Sequence, residues 1–156
     1  MGLIVPGEGP PRARIMLVGQ NPGSEEAKQG RPFVGPAGKY FDRVLAQNGI
    51  PRDEVYITNA VKETTLRNRK PTVGEMCRWA PELEEEMDRV QPRVVVLMGV
   101  VAQSVARRAG VRYIETPHPA AALRFPWLRR DFEAALAVLG REFKKQKRRK
   151  QDVSGL

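Results

Sequence analysis

Four short, mostly apolar runs, separated by segments with helical spacing, constrain the fold of this chain more than any other feature. Residues 94–97 are apolar at every position, which is typical of a parallel strand covered on both faces. Residues 14–18, 55–58 and 111–115 form the other three runs. This alternation predicts an α/β fold with three layers (α/β/α), in which a central four-stranded parallel sheet lies between helices.

The segments between these runs carry helix signals. The first has an apolar face at i, i+3, i+4, i+7 and i+8: Ala37, Tyr40, Phe41, Val44 and Leu45. Thr72 and Glu75 have the spacing of a capping box, so a second helix is expected to begin there. Its predicted buried face consists of Met76, Trp79, Ala80, Leu83, Met87 and Val90. Further helices are expected from Gly99 to near Gly110 and over residues 128–139.

Two polar segments follow predicted strands and indicate where a site lies. Residues 19–23 read Gly-Gln-Asn-Pro-Gly, and residues 118–124 read His-Pro-Ala-Ala-Ala-Leu-Arg, with His118 the only histidine of the chain. The carboxyl ends of parallel strands meet at one edge of the sheet, where open α/β folds bind their ligands. Gln20, Asn21, Asn59 and His118 are therefore expected to converge on one pocket.

The charge of the chain favours a polyanionic partner. The net charge is +9 and the isoelectric point is near 10.2. Residues 141–156 contribute +5 of this total, and they are expected to form a flexible basic tail after a single domain over residues 1–140. Such a tail could add non-specific attraction to phosphates.

Several classes of protein are excluded at this level. No apolar run is long enough to span a bilayer, and the apolar start is too short for a signal peptide, so a cytoplasmic protein without a membrane partner is expected. Cys77 is the only cysteine, which excludes an internal disulfide and any metal site made of cysteines alone. Because Cys77 falls on a predicted helix, we expect it to pack in the core.

Five blocks in order identify a family resemblance. They are residues 5–9, 30–38, 56–62, 68–71 and 118–124. With this order and spacing the chain resembles the uracil-DNA glycosylases that carry an iron–sulfur cluster, called family 4, over roughly residues 5–139. The resemblance implies the glycosylase fold and hydrolysis of the N-glycosidic bond of uracil in DNA, which starts base excision repair and leaves an abasic site. It also implies a nucleoid-associated protein, which we expect to be monomeric.

The cluster itself is not expected here. The family has four cysteine ligands, whereas the segment before the first strand holds no cysteine pair. Trp79 and a residue around Val95 stand where the resemblance places the third and fourth ligands, and Cys77 is two residues away from the third. A cluster requires thiolates or rare substitutes at every corner. We therefore predict no iron–sulfur cluster and no other cofactor.

The first motif also departs from family 4. The family reads Gly-Glu-Ala-Pro-Gly, whereas this chain has Gln20 in place of the Glu and Asn21 in place of the Ala. The pattern Gly-x-Asn-Pro-Gly is similar to the mismatch-specific and single-strand-selective branches, in which the Asn positions the attacking water. Asn21 is accordingly the predicted water-orienting residue and Gln20 an assistant.

The resemblance implies a role for each of three further residues. Phe33 is expected to stack on the flipped base, and the amide of Asn59 to bind uracil O4 and N3–H. His118, neutral or cationic, is expected to stabilise the charge that develops on uracil O2. Without the resemblance, Phe33 would be a core residue, Asn59 a turn residue and His118 a satisfied or exposed histidine.

Other positions bear on specificity and on DNA contact. Gly23 lies where the most uracil-restricted branch has a tyrosine that blocks the thymine methyl, so discrimination between bases is expected to be loose. Leu123 and Arg124 are expected to probe the minor groove as a wedge and a phosphate contact. Lys62 and Arg69 belong to a basic loop near the same edge and are expected to contact DNA.

Two alternatives stay open at this point. The main substrate could be another deaminated base, such as hypoxanthine or xanthine, or mismatched thymine. The chain could also be a DNA-binding relative that has lost catalysis through the Gln20 substitution.

Overall fold

The computed structural model describes residues 2–154, and side chains up to residue 150. The strands are β1 (Ile15–Gly19), β2 (Tyr56–Asn59), β3 (Val94–Met98) and β4 (Arg112–Thr116). The helices are α1 (Ser24–Gln29), α2 (Pro36–Gln47), α3 (Val73–Val90), α4 (Val100–Gln103), α5 (Pro119–Arg124) and α6 (Pro126–Ser154). Short 3-10 turns lie at Arg52–Glu54 and Leu66–Asn68. The four predicted strands are confirmed.

The sheet is parallel and has the strand order β2-β1-β3-β4. Gly19 at the end of β1 pairs in register with Asn59 at the end of β2. Met98 at the end of β3 pairs with Thr116 at the end of β4. The chain leaves β1 toward one side of the sheet and β3 toward the other, so a crevice opens between them at the carboxyl edge. We call this side of the sheet the catalytic edge.

Two apolar clusters cover the two faces of the sheet, which confirms the three layers. On one face Leu17 and Val96 pack with Phe41 of α2 and Phe132 of α6. On the other face Met16, Val18 and Leu97 pack with α3 and α4. The strand side chains alternate between the clusters, as the two-residue period of a strand requires.

The edge strand β2 is covered by the N-terminal segment. Val5 N–H donates to the Lys62 carbonyl at 2.7 Å, and Glu8 and Ile57 exchange backbone hydrogen bonds of 2.8 and 2.9 Å. These contacts make the segment an irregular antiparallel neighbour of β2. They satisfy backbone groups that an open edge would expose.

The helix predictions were right for α2 and α3 and wrong in detail elsewhere. Thr72 caps α3 through the predicted box with Glu75, but Ala80 and Cys77 on this helix are exposed. The expected core packing of Cys77 was therefore wrong. The helix after Gly99 ends at Gln103, because the Ser104 hydroxyl donates to the Val101 carbonyl and competes with the helical ladder.

The residues expected to form a flexible tail are helical over the part that the structure describes. Helix α6 continues without a break to Ser154, so the boundary at 140 falls inside a helix. Phe143 and Gln146 of the expected tail are 8% and 5% exposed. They extend the buried face that Phe132, Leu136 and Leu139 begin. Within residues 2–154, no helix combines the length and the apolar character that crossing a membrane requires.

Candidate active site

Two predicted site residues, Phe33 and Asn59, pack against the backbone of Gly19. A Cβ added at Gly19 would collide with Cζ of Phe33 and would lie 2.6 Å from Oδ1 of Asn59. The aromatic ring and the amide therefore both approach the backbone of Gly19 more closely than any side chain would allow. The end of β1 therefore places Phe33 and Asn59 side by side.

Phe33 adopts a left-handed backbone conformation, with φ of 53°, that is rare for a residue with a large side chain. Arg52 holds this conformation. Its guanidinium donates to the carbonyls of Pro32 and Phe33, the latter at 2.7 Å, and forms an ion pair with Asp42 at 2.7 Å. The carbonyl of Phe33 also packs against Gly38, where a Cβ would collide with it.

The side chain of Asn59 is buried without a hydrogen bond. It is 2% exposed, and its Oδ1 has no partner among the described residues. An unpaired buried acceptor costs about 1–3 kcal/mol, which a ligand N–H at this position would recover. The backbone of Asn59 is fixed, because its carbonyl accepts a hydrogen bond from the Lys62 ammonium.

Behind Asn59 lies a buried polar network centred on Glu86 of α3. The Glu86 carboxylate accepts hydrogen bonds from Tyr56 at 2.7 Å and Thr58 at 3.1 Å, and it pairs with the Lys62 ammonium at 2.5 Å. Lys62 is 4% exposed, and burial lowers its pKa. The prediction that Lys62 contacts DNA was wrong, since its charge is neutralised inside the protein.

His118 lies beside Phe33, the residue whose ring packs against Gly19. Their ring centroids are 5.6 Å apart and the rings are nearly parallel, at 27°. The chain brings His118 there by passing close to Gly99, where a Cβ would lie 3.1 Å from that of His118. Because Gly99 has φ of 91°, glycine suits it both sterically and conformationally.

The hydrogen bonding of His118 defines its protonation state. Ala120 N–H donates to Nδ1 at 3.0 Å, so Nδ1 carries a lone pair and the proton resides on Nε2. Burial lowers the pKa of His118 to about 4, although the negative charge of Glu26 opposes the shift. Nε2–H makes no hydrogen bond to residues 2–150. His118 thus presents a neutral imidazole with one free donor.

Glu26 is a residue of this region that the sequence analysis missed. Its carboxylate accepts three backbone N–H bonds of 2.7–3.0 Å, from Gly23, Val34 and Gly35. It therefore ties the first motif to the loop that carries Phe33. The signal was present, because Gly23 and Glu26 have capping-box spacing at the start of α1.

Gly23 is restricted by the same carboxylate. A Cβ added there would lie 2.9 Å from Glu26 Oε1. A larger residue at position 23 would therefore displace the Glu26 carboxylate.

Asn21 lies at the same edge but is bound to a different loop. Its Nδ2 donates to Thr65 Oγ1 at 3.2 Å and to Asn68 Oδ1 at 3.4 Å. Its own Oδ1 accepts no hydrogen bond from the described residues. The carbonyl of Gln20 accepts the N–H of Val61 at 3.0 Å, which fixes the first motif to the segment after β2. Within residues 2–150, no hydrogen bond joins Asn21 to Asn59 or His118.

The exposed residues expected to contact DNA differ in whether a carboxylate of the protein already binds them. Leu123 and Arg124 at the end of α5 are exposed, and the Arg124 guanidinium lies 5.5 Å from the Phe125 ring centroid. Arg69 is exposed too, but it forms two hydrogen bonds with Glu75, of 2.7 and 3.2 Å. In this conformation Arg69 stabilises the start of α3, and its contact with DNA stays a prediction.

The residues present do not fit an iron–sulfur cluster. The chain has one cysteine, and Cys77 is exposed on α3. Among the described residues no group of three or more His, Cys, Asp and Glu could hold a metal ion. Trp79 has a buried indole N–H without a partner, and this group is a hydrogen-bond donor rather than a ligand.

Comparison with known proteins identifies the family. A profile described as the uracil DNA glycosylase superfamily matches residues 6–140. The chain belongs to this superfamily. The resemblance inferred from the five sequence blocks is thereby confirmed, and with it the predicted hydrolytic class of enzyme.

Relatives within the uracil DNA glycosylase superfamily include enzymes named type-4 and type-5 uracil-DNA glycosylases. The chain is 37% identical over 165 residues to a type-4 uracil-DNA glycosylase of Sulfurisphaera tokodaii, covering 90% of this chain and 72% of that protein. It is 34% identical to the type-4 enzyme of Archaeoglobus fulgidus, covering 87% and 80%. A type-5 uracil-DNA glycosylase of Pyrobaculum aerophilum is 32% identical, covering 76% and 66%.

The fold of the superfamily also appears among solved structures. The solution NMR structure of a Methanosarcina acetivorans protein, described as a candidate uracil DNA glycosylase, superimposes with a TM-score of 0.61. The match covers 88% of this chain and 98% of that one at 15% identity, so it bears on the fold alone.

Proposed function

We propose that this glycosylase hydrolyses the N-glycosidic bond of uracil in DNA. The observation that carries the proposal is the position of Phe33, which lies beside the unpaired Oδ1 of Asn59 at Gly19 and stacks with His118, whose Nε2–H is free. One aromatic face, one acceptor and one donor match the face, the N3–H and a carbonyl oxygen of uracil. Cytosine carries a lone pair at N3, and it would leave the Asn59 acceptor unpaired.

The pocket accepts a base only when that base leaves the duplex. Extrusion costs a few kcal/mol, which contacts in the pocket must repay. Phe33 and His118 are too close for a base to enter between their rings, because this would require about 7 Å, twice the van der Waals separation of about 3.5 Å. The base therefore either seats beside the stacked pair or separates the two rings.

Bond cleavage places negative charge on the base. As the C1′–N1 bond breaks, its electron pair moves onto the uracil ring, and O2 gains charge that the Nε2–H of His118 stabilises. A neutral donor fixed in advance contributes more in the transition state than in the ground state. The hydrogen bond from Ala120 holds the imidazole in the required tautomer.

Water completes the reaction at the opposite face of the sugar. Its oxygen bonds to C1′ and its proton passes to solvent or to the departing uracil anion. Asn21 orients this water through its unpaired Oδ1, since its Nδ2 is held by Thr65 and Asn68. An amide accepts no proton near neutral pH, so Asn21 orients the water without acting as a base, and Gln20 assists.

The remaining predicted features complete the proposal. Leu123 fills the space left by the extruded nucleotide and Arg124 contacts a phosphate. The reaction needs no cofactor, because the donors described above supply the electrostatic stabilisation. The enzyme acts as a cytoplasmic monomer on nucleoid DNA. The small residue at Gly23 supports activity on further deaminated bases.

The test is an abasic-site cleavage assay on oligonucleotides that contain uracil, hypoxanthine, xanthine or thymine. Wild-type protein is compared with His118→Ala, Asn21→Ala and Asn59→Ala, and exposed Gln47→Ala of α2 is the control. We expect uracil excision that the control retains and the three site variants lose in large part. Absence of abasic product from all four bases would contradict the proposal and favour a catalytically inactive DNA-binding relative.

A further inference from the structure

Helix α6 carries a line of cations at the end away from the site. Arg141, Lys144, Lys145, Arg148 and Arg149 recur at i, i+3, i+4, i+7 and i+8, so they share one face of the helix. We call these five residues the basic stripe. All five are exposed, whereas Phe143 and Gln146 on the inner side are buried.

The basic stripe has no neutralising partner within the described residues. The nearby acid Glu142 pairs with Arg112, and Glu54 pairs with Lys147 at 3.3 Å, so these two carboxylates serve cations outside the stripe. None of the five stripe residues forms an ion pair with a carboxylate of residues 2–150. Their charges therefore face solvent together.

The basic stripe lies at the opposite side of the sheet from the catalytic edge. Phe143 and Lys147 line a cavity of about 370 Å³ with Ala13 and Ile15, which lie at the start of β1. The contact of Glu142 with Arg112 places the same turn beside the start of β4. Since an α-helix rises 1.5 Å per residue, Lys145 lies about 28 Å along α6 from Pro126.

We propose that the basic stripe binds the phosphate backbone of a second DNA duplex while the catalytic edge holds the first. A duplex laid across the catalytic edge does not also reach the stripe, because the two surfaces lie at opposite ends of the strands and DNA, with a persistence length of about 150 base pairs, is too stiff to wrap around one domain. The stripe spans about 12 Å, so it meets several phosphates in succession.

The composition of the stripe favours phosphates over an acidic protein. Protein interfaces contain buried apolar or aromatic anchors. The exposed aromatic residue of α6, Trp127, lies near the other end of the helix, and the stripe consists of charge alone. Phosphate neutralisation by Lys and Arg needs no such anchor, since counterion release drives it.

The experiment asks whether one protein joins two duplexes. An immobilised uracil-free duplex is loaded with protein at low salt, and capture of a second, fluorescent uracil-free duplex is measured. The stripe variant is Lys145→Gln/Arg148→Gln/Arg149→Gln, in which glutamine keeps a good helix propensity. The control, Lys39→Gln/Arg43→Gln/Arg93→Gln, removes the same charge from exposed positions elsewhere.

We expect the wild type and the control to capture the second duplex and the stripe variant to lose roughly tenfold or more of this capture. The slope of log Kobs against log[salt] for capture should fall in magnitude by about 2–3, one counterion release per cation removed. No capture by the wild type, equal capture by the stripe variant, or preferential capture of polyglutamate would overturn the proposal. Excision from a single uracil duplex is measured separately, so failure of the proposed function is distinguishable.

Discussion

The backbone N–H of Ala120 donates a hydrogen bond to Nδ1 of His118, 3.0 Å away, in the first turn of α5. The bond requires a lone pair on Nδ1, and burial lowers the pKa of His118 to about 4. The proposed donor is thus a neutral imidazole over the whole physiological pH range. Of the two protonation states that the motif left open, the geometry favours the neutral one.

This relationship predicts the pH dependence of excision. The contribution of His118 should be constant from about pH 8 to 5.5 and should be lost as the pH falls through about 4, where protonated Nδ1 rejects the Ala120 N–H. The unfolded chain binds the same proton near pH 6.5, so the free energy of unfolding should decline as the pH falls from about 6.5 to 4. A kcat profile with a break near 6.5 that His118→Ala abolishes would contradict the neutral assignment.

Asn59→Ala should separate activity from stability. It removes a buried acceptor that has no partner in the protein, so the free energy of unfolding should stay within about 1 kcal/mol of the wild type or rise. Uracil excision should fall by about two orders of magnitude or more. Thermal unfolding and single-turnover excision measure the two effects. A marked loss of stability would mean that the amide is structural.

Arg52→Lys should lower kcat/KM because it releases the backbone conformation of Phe33. A lysine keeps the charge beside Asp42 but cannot reach both carbonyls that hold the left-handed residue. We expect kcat/KM to fall roughly tenfold and stability by about 1–2 kcal/mol. Arg43→Lys, on the same face of the molecule, is the matched control. If Arg52→Lys lowered stability and left kcat/KM unchanged, the guanidinium would have no positioning role.

Lys62→Met should destabilise the fold because it leaves Glu86 buried and unpaired. Removing one partner of a buried ion pair lowers the free energy of unfolding by about 3–5 kcal/mol. The double variant Lys62→Met/Glu86→Leu should recover a large part of this loss. The salt dependence of DNA binding by the double variant should match that of the wild type. A shallower dependence of DNA affinity on salt in the double variant would mean that Lys62 contacts DNA.

Local signals were sufficient for much of the architecture. The apolar runs predicted all four strands, and the Thr72–Glu75 box located the start of α3. The parallel sheet then required residues after β1, β2 and β4 to meet at one edge. This explains why Asn59 and His118, which are far apart in the chain, both lie beside Phe33. Asn21 of the expected set bonds to Thr65 and Asn68 instead.

Other features depend on contacts that the sequence pattern does not encode. Arg52 acts on backbone carbonyls about twenty positions away, and carbonyls have no side-chain signature. Lysine is rarely buried, so the sequence around Lys62 indicates a surface loop, and its partner Glu86 becomes apparent only when α3 packs on the sheet. For α6 the signal was available, since Phe143 continues the spacing of Leu136 and Leu139.

Gly19 couples the position of the Phe33 ring to the position of the Asn59 amide. Phe33 and Asn59 both press on the same glycine, so a shift of the aromatic ring changes the space left for the amide, and the reverse holds too. Selectivity for base shape and selectivity for hydrogen-bond pattern are then not independent properties that engineering could adjust one at a time. Because both side chains contact Gly19, the effects of paired changes at positions 33 and 59 on base selectivity should be strongly non-additive.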